Sequence, residues 1–179
     1  MTVVRGVDMD GVVTYGIGLA VRQTPHIFTL SSPDRVVVDI PASFTTASKK
    51  VYFFNAPHFS NGTEPYVTPV SRPVLPLTPA TGVMDRLFAG SLTGEQASGL
   101  GFLNSGATGF KNLSIADGVA RVTLTGGCSS GGSTASIAGE IFPTLRQFSS
   151  VNWVKIYDPS GHTERPSGHS DSIPFCLEP

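Results

Sequence analysis

The hydrophobic and polar positions at the start of the chain follow the pattern of short β-strands. Three runs rich in β-branched residues cover residues 12–21, 26–30 and 35–40, with the turn signals Thr24-Pro25 and Ser32-Pro33-Asp34 between them. This pattern predicts a short three-strand β-meander. Because so small a sheet leaves one face uncovered, we expect residues 1–41 to be the C-terminal remnant of a larger β-domain.

A stretch rich in proline, serine and threonine follows, and its composition is typical of a linker. We therefore predict a linker over residues 42–48 and a second domain over residues 49–179.

The first half of this second domain combines strand-like and helix-like periods. The apolar run at residues 51–54 predicts a buried strand. Residues 66–75 are extended but contain prolines, which lack a ladder donor and confine the segment to a sheet edge or an irregular excursion. Thr78-Pro79 and the helically spaced apolar residues up to Phe88 predict a helix, and Thr93 with Gln96 predicts a further helical turn.

The second half adds a hairpin, a helix and a strand. Alternating residues on both sides of Asp117-Gly118 predict a hairpin with a two-residue turn. A helix is predicted over residues 133–148, a strand over residues 151–157 and a loop over the rest. The pattern as a whole predicts an α+β fold: a mixed sheet with two helices packed on one face, preceded by the meander.

Composition and charge narrow the classes of function. Hydrophobic residues make up 40% of the chain and charged residues 14%, so the chain can form a buried core. Twelve basic against thirteen acidic residues leave a net charge of −1, which argues against a nucleic-acid partner. No apolar stretch reaches the roughly 20 residues of a membrane span, and the first residues lack the layout of a signal peptide.

The two cysteines, Cys128 and Cys176, lie 48 positions apart and lack a CxxC spacing. A pair of this kind makes a poor zinc or redox site, so we predict a disulfide that fastens the C-terminal tail. Two buried free thiols are the alternative.

A Gly/Ser-rich loop, residues 126–133, stands between a predicted strand and a predicted helix, where backbone amides can bind an anion. A phosphate-binding loop requires a lysine where Gly132 stands, so a turn with a helix cap is the simpler interpretation. Contact with a weak acid or a glycan stays open, with Ser129 and Ser130 as candidate binding residues.

Two further groups of side chains are candidates. His162, His169 and Asp171 in the C-terminal loop would serve a metal-dependent cell-wall hydrolase, although a flexible Gly/Pro-rich loop holds metal ligands poorly. We therefore predict no metal, no cofactor and no enzymatic activity. Tyr66, Trp153 and Tyr157 are candidate binding residues, since an aromatic face can stack on a sugar, although each could equally pack in the fold.

Five stretches of the second domain carry a family resemblance: the strand at residues 51–54, the segment 67–72, the helix at 84–90 with Thr93 and Glu95, the hairpin at 113–124 and the passage at 144–156. They resemble the GerMN domain of bacterial sporulation and spore-germination proteins and of related actinobacterial envelope lipoproteins. Ser91-Leu92 replace the Gly-Pro of the family's turn. Residues 16–21 and 33–39 resemble the closing strands of an AMIN-like domain.

Neither resemblance implies a set of catalytic residues. They imply an extracytoplasmic protein, secreted or lipid-anchored, that acts by binding peptidoglycan or an envelope protein. A fragment without a function of its own is a further alternative, for which we expect broad, poorly cooperative melting.

Overall fold

The computed structural model describes residues 2–9, 12–19, 22–31, 34–41 and 45–179. Its backbone contacts divide the chain into two compact units, Met1–Thr45 and Thr46–Pro179.

The first unit consists of two antiparallel hairpins within its described residues. Strands β1 (Thr2–Met9) and β2 (Val12–Gly18) form one, and β3 (His26–Leu30) and β4 (Arg35–Asp39) form the other. The three predicted strands are present, but β2 pairs with the unpredicted β1 and not with β3, so the meander is replaced by two hairpins. Met9 is the register partner of Val12, which is the most local pairing available to β2. Predicted strand and turn residues 20, 21, 32 and 33 lie outside the described residues.

The second unit alternates strands and helices. Its strands are β5 (Ala47–Asn55), β6 (Val67–Val74), β7 (Leu100–Gly101), β8 (Ala107–Ala116), β9 (Val119–Gly126) and β10 (Trp153–Tyr157). Its helices are α1 (Ala56–Ser60), α2 (Pro79–Phe88), α3 (Thr93–Ala97) and α4 (Ile137–Arg146), and a 3-10 turn covers Phe175–Leu177. Strand β5 begins inside the segment predicted as a linker, and α1 lies in a segment predicted as loop.

One sheet of this unit is antiparallel, with the strand order β6-β5-β7. Strand β6 lies at an edge, as its prolines predicted: Pro69 is opposite Tyr52 and Pro73 is opposite Ser48. Helix α2 packs closely on this edge, because a Cβ at Gly82 would lie 2.8 Å from the Cβ of Val74. A side chain at that position would force the helix away from the strand.

The other sheet is mixed and has the order β10-β9-β8. Strands β8 and β9 form the predicted hairpin, with Asp117 (φ 52°) and Gly118 (φ 75°) as the two turn residues. Positive φ at both positions is the geometry of a type I′ turn, which matches the twist of a hairpin. Strand β10 pairs with β9 in parallel.

Helix α4 covers the side of β5 that β7 pairs with only at Phe54 and Asn55, and it does so with polar side chains. Glu140 accepts a hydrogen bond from the Phe54 amide (2.9 Å), Thr144 accepts one from Tyr52 (3.1 Å) and Gln147 accepts one from Lys50 (2.9 Å). These three residues follow each other at intervals of four and three, so they share one side of the helix. Their amide partners alternate along β5. The helix therefore stands where a further strand would pair, which separates the predicted sheet into two.

The core is formed by the second unit. Helices α2 and α4 contact each other, and both contact β5. Helix α2 also contacts β8, and α4 also contacts β10. The largest fully buried apolar side chains include Phe53, Met84, Leu87, Leu124, Ile137 and Ile141. The α+β class, the mixed sheet and its two main helices are thus confirmed.

The ends of two helices differ from the prediction. Helix α4 begins at Ile137 and not at residue 133, because the preceding loop bonds elsewhere and the Ile137 amide donates to the hydroxyl of Ser105 (3.0 Å). The cap residue of α3 is Leu92, whose amide donates to the carboxylate of Glu95 (2.8 Å), so Thr93 is already helical.

Candidate functional site

The C-terminal segment is fastened to the Gly/Ser loop at one place. Cys128 and Cys176 form a disulfide with a Cα–Cα distance of 5.7 Å, which confirms the predicted pairing. Next to it, the Ser130 amide donates to the carbonyl oxygen of Cys176 (2.7 Å), and its hydroxyl donates to that of Glu178 (2.5 Å). The covalent bond and the hydrogen bonds together hold the buried side chain of Leu177 in the core.

The same contacts occupy the amides that could have bound an anion. The amide of Ser129 donates to the carbonyl oxygen of Ser105, and those of Gly131 and Gly132 donate to the hydroxyls of Ser129 and Ser130. The loop is also separated from the first residue of α4 by several residues. The arrangement is that of a structural turn, which was the simpler of the two interpretations.

Tyr66 belongs to an aromatic cluster beside α1. Its ring lies 5.4 Å from that of Phe59 in an edge-on arrangement, and Phe59 lies 5.3 Å from Phe54. Tyr66 is half-buried and its carbonyl oxygen accepts a hydrogen bond from the Asn55 amide. It directly precedes β6, so it lies beside the antiparallel sheet.

Trp153 and Tyr157 lie together on the mixed sheet. They alternate with Val154 and Ile156, which are buried in the core, so both aromatic residues belong to the opposite, outward face of β10. Trp153 is 37% exposed, whereas Tyr157 is half-buried with its hydroxyl 3.4 Å from the carbonyl oxygen of Pro166. The structure thus brings two of the candidate aromatic residues to one face and places Tyr66 on the other sheet.

Lys155 stands between these two aromatic residues and was not among the predicted site residues. Its side chain is fully buried, and its ammonium donates to the carbonyl oxygens of Arg165 (2.5 Å) and Ser167 (3.2 Å) and to the hydroxyl of Ser170 (3.5 Å). Burial, followed by the nearby charges of Arg121 and Arg165, lowers the pKa of Lys155. The only signal in the sequence was a lysine at an alternating position between two aromatic residues.

The C-terminal histidine loop is ordered by contacts that do not form a metal site. Asp171 accepts a hydrogen bond from the Val154 amide (2.9 Å) and forms an ion pair with Arg146. His162 lies near Asp158, whose carboxylate accepts hydrogen bonds from the amides of Ser160 and His162, which lower its pKa. Within the described ranges, no group of three histidine, cysteine or acidic residues is placed to hold a metal ion. The structure therefore does not bring His162, His169 and Asp171 together as the hydrolase alternative requires.

Glu140 is the second buried ionisable group that the sequence did not reveal. It is fully buried, accepts hydrogen bonds from the amides of Phe54 and Leu103, and forms no ion pair within the described residues. Burial raises its pKa from 4.5 to about 8, although the two amide bonds act in the opposite direction. Because its oxygens are committed to β5 and to the residues after β7, its role is structural.

A shallow groove of about 500 Å³ lies beside β7. Small residues such as Ala89, Gly90 and Gly99 form much of its lining, with Phe54 and Phe102 as the aromatic part. The hydroxyl of Ser91, also in the lining, donates to the carbonyl oxygen of Leu100 (3.0 Å). The groove carries no charged side chain in its lining.

No family model matches the chain, and no curated protein matches it. Among solved structures, the chain is similar to the tandem GerMN domains of the sporulation protein GerM from Bacillus subtilis, with 18% sequence identity and a TM-score of 0.47. The match covers 66% of this chain and 42% of that chain. No helix in the described part of the chain is long and apolar enough to cross a membrane.

Proposed function

We propose that this chain is a non-catalytic binding or scaffold module of the bacterial cell envelope, related to sporulation, germination or the cell wall. Its partner is peptidoglycan or an envelope protein. The module comprises an AMIN-like part over residues 1–41 and a GerMN-like domain over 49–179, joined by the linker over 42–48, whose last two residues already belong to β5. It acts outside the cytoplasm, secreted or lipid-anchored.

The disulfide between Cys128 and Cys176 is the observation that carries the proposal. Structural disulfides persist in oxidising compartments and are rare where thiols are kept reduced. This disulfide fastens the C-terminal segment to the Gly/Ser loop, so the folded state is more stable in such a compartment. The resemblance of the second domain to GerMN sequences points to the same location.

The polar candidate residues are engaged in contacts within the fold, which supports a binding function over a catalytic one. Ser130 uses its amide and its hydroxyl to hold the C-terminal segment, and Asp171 is paired with Arg146. Trp153, by contrast, is partly exposed on a sheet face. We therefore place the contact surface at Trp153 and Tyr157, with Tyr66 as a further candidate.

Co-sedimentation of the purified, oxidised chain with isolated peptidoglycan sacculi tests this function. We expect retention in the pellet at low and at high salt, with bovine serum albumin as the unretained control. A Trp153→Ala variant should be retained less than the Phe175→Ala variant, because Phe175 is an exposed aromatic residue outside the proposed surface. Absence of retention at both salt concentrations would exclude direct wall binding and leave an envelope protein as the partner.

A further inference from the structure

Cations occupy neighbouring positions on the outward face of the mixed sheet. Arg121 of β9 is the register partner of Lys155 on β10 and of Ser114 on β8, and Lys111 of β8 is opposite Thr123. The intervening residues of β9 and β10 are buried in the core: Ala120, Val122, Val154 and Ile156. Alternation along a strand therefore directs Arg121 and Lys155 to the other side. We call Lys111, Arg121 and Lys155, with Trp153 and Tyr157, the cationic face.

The C-terminal loop covers one half of the cationic face and leaves the other half open. Residues 165–170 lie over Lys155, since two of their carbonyl oxygens and one hydroxyl accept its hydrogen bonds. On the β8 side, Lys111 and Ser114 are exposed, and Arg121 between the two halves is half-buried. A ligand can therefore approach Arg121 from β8, next to the buried ammonium.

Like charges stand side by side on this face without a carboxylate between them. Within the described residues, neither Arg121 nor Lys111 has an ion-pair partner. The three acids between residues 158 and 171 are engaged elsewhere: Glu164 with Arg165, Asp171 with Arg146, and Asp158 with backbone amides. Like charges at directly opposed positions of a sheet destabilise it. A bound anion would offset this repulsion.

Two aromatic side chains stand on the same face, on either side of Lys155. Trp153 and Tyr157 belong to the same side of β10 as the lysine, and Trp153 is 37% exposed. An aromatic ring offers a flat apolar surface, whereas a guanidinium binds carboxylate or phosphate through paired hydrogen bonds. A sugar ring that carries an anionic group has both complementary features.

We propose that the cationic face binds an anionic glycan through Arg121 and Lys111, with Trp153 against the sugar ring. The ligand chemistry is a carboxylate or a phosphate on a carbohydrate. This inference rests on the proposed function, because it names the surface and the wall component that the module contacts. Lys155 is a positioning residue, which holds the C-terminal loop and adds its charge beside Arg121.

The fluorescence of Trp153 provides a direct test, because it is the only tryptophan in the chain. The oxidised protein is titrated with soluble wall fragments released by muramidase. We expect a saturable change in emission and an affinity that falls with salt, since the partly exposed cations are screened. In the double variant Arg121→Gln/Lys111→Gln, the affinity should fall about tenfold or more, as two charge-assisted contacts are lost.

The matched control is Lys49→Gln/Lys50→Gln, which removes the same charge from strand β5 of the other sheet. Its affinity should stay at the wild-type value. Equal weakening in the two double variants would mean that net charge alone attracts the fragments, and equal affinity in all three proteins would place the site elsewhere. Either result overturns the cationic face as the binding surface.

Two preparations of the wall distinguish the sources of the anion. Fragments stripped of phosphate polymers with hydrofluoric acid retain their carboxylates, so undiminished affinity identifies a carboxylate ligand. Lost affinity identifies phosphate.

Sedimentation with sacculi separates the two proposals: if wild type and the Arg121→Gln/Lys111→Gln variant are retained equally, wall binding stands and the cationic face is wrong. If wild type is not retained, direct wall binding is wrong.

Discussion

The two units of this chain contain similar strand sequences but differ in what covers them. In the first unit, large apolar side chains on the hairpins are open to solvent, with exposed fractions of 63% for Val12, 62% for Ile27 and 71% for Val36. In the second unit, Val51 and Phe53 of β5 are fully buried under α2 and α4. None of the side chains described for the first unit is buried.

The contrast shows that a β-branched run by itself does not create a core. A strand buries its apolar face only when a second layer packs on it, and the second unit provides that layer from its own helices. The free energy of unfolding should therefore reside in residues 46–179. Four measurements, from the largest expected effect to the smallest, test this assignment.

The buried carboxyl of Glu140 should give the second unit the largest response to pH. Because its pKa is raised from 4.5 to about 8, the folded state keeps a proton that the unfolded chain loses. The contribution of Glu140 to stability should be most favourable below pH 4.5 and should fall by up to about 5 kcal/mol as the pH rises towards 8. Urea unfolding followed by Trp153 fluorescence at several pH values measures this slope.

In Glu140→Gln this fall of stability with rising pH should disappear, because an amide side chain cannot ionise. Its oxygen can still accept the hydrogen bond from the Phe54 amide. The exposed Glu64→Gln serves as the control and should retain the fall of stability. If the Glu140 variant shows the wild-type slope, another group causes the pH dependence. Asp158 and Glu95 act in the opposite sense, because their pKa values are lowered and their contribution is lost in acid.

The second-largest effect is expected from truncation of a buried side chain, which should distinguish the stability of the two units. Phe53→Ala removes a fully buried ring and should cost about 3–5 kcal/mol of unfolding free energy. Ile27→Ala, at an exposed position of β3, should stay within about 0.5 kcal/mol of wild type. Urea midpoints compare the two. Similar losses in both variants would contradict the assignment of stability to the second unit.

Removal of the disulfide should have the third-largest effect. Cys128→Ser/Cys176→Ser frees a chain segment of 48 residues, and the expected loss is about 2–4 kcal/mol. Thermal melting of this variant and of the reduced wild type should agree. An unchanged melting temperature would show that the hydrogen bonds of Ser130 suffice to hold the C-terminal segment.

Deletion of residues 1–45 should have the smallest effect. The buried core cluster lies entirely within residues 51–177, so the shortened chain should keep a cooperative transition near the wild-type midpoint. Circular dichroism and urea unfolding measure this. A broad transition or an insoluble product would show that the core depends on the first unit.

Much of the second unit could be predicted because the signals are local. The turn at Asp117-Gly118 needs only two residues that accept positive φ, and α2 follows from a proline at its first position and apolar residues at helical spacing. The disulfide followed from the count of cysteines. Strand β1 was missed because Arg5, Gly6 and Asp8 interrupt its β-branched run.

The candidate site was less predictable, because its residues meet across strands. Trp153 and Tyr157 share a face by alternation, which a sequence shows. The pairing of Arg121 with Lys155 depends on the parallel register of β9 and β10, and no local pattern encodes it.

The sequence by itself determined the α+β class, the principal helices, the central hairpin and the disulfide, since each depends on neighbours along the chain or on residue counts. Only the tertiary structure decided that α4 replaces a strand beside β5 and that Glu140 and Lys155 are buried. It also decided which cations stand together on one sheet face. Burial and cross-strand contact depend on residues distant in sequence, and the packing of whole elements brings them together.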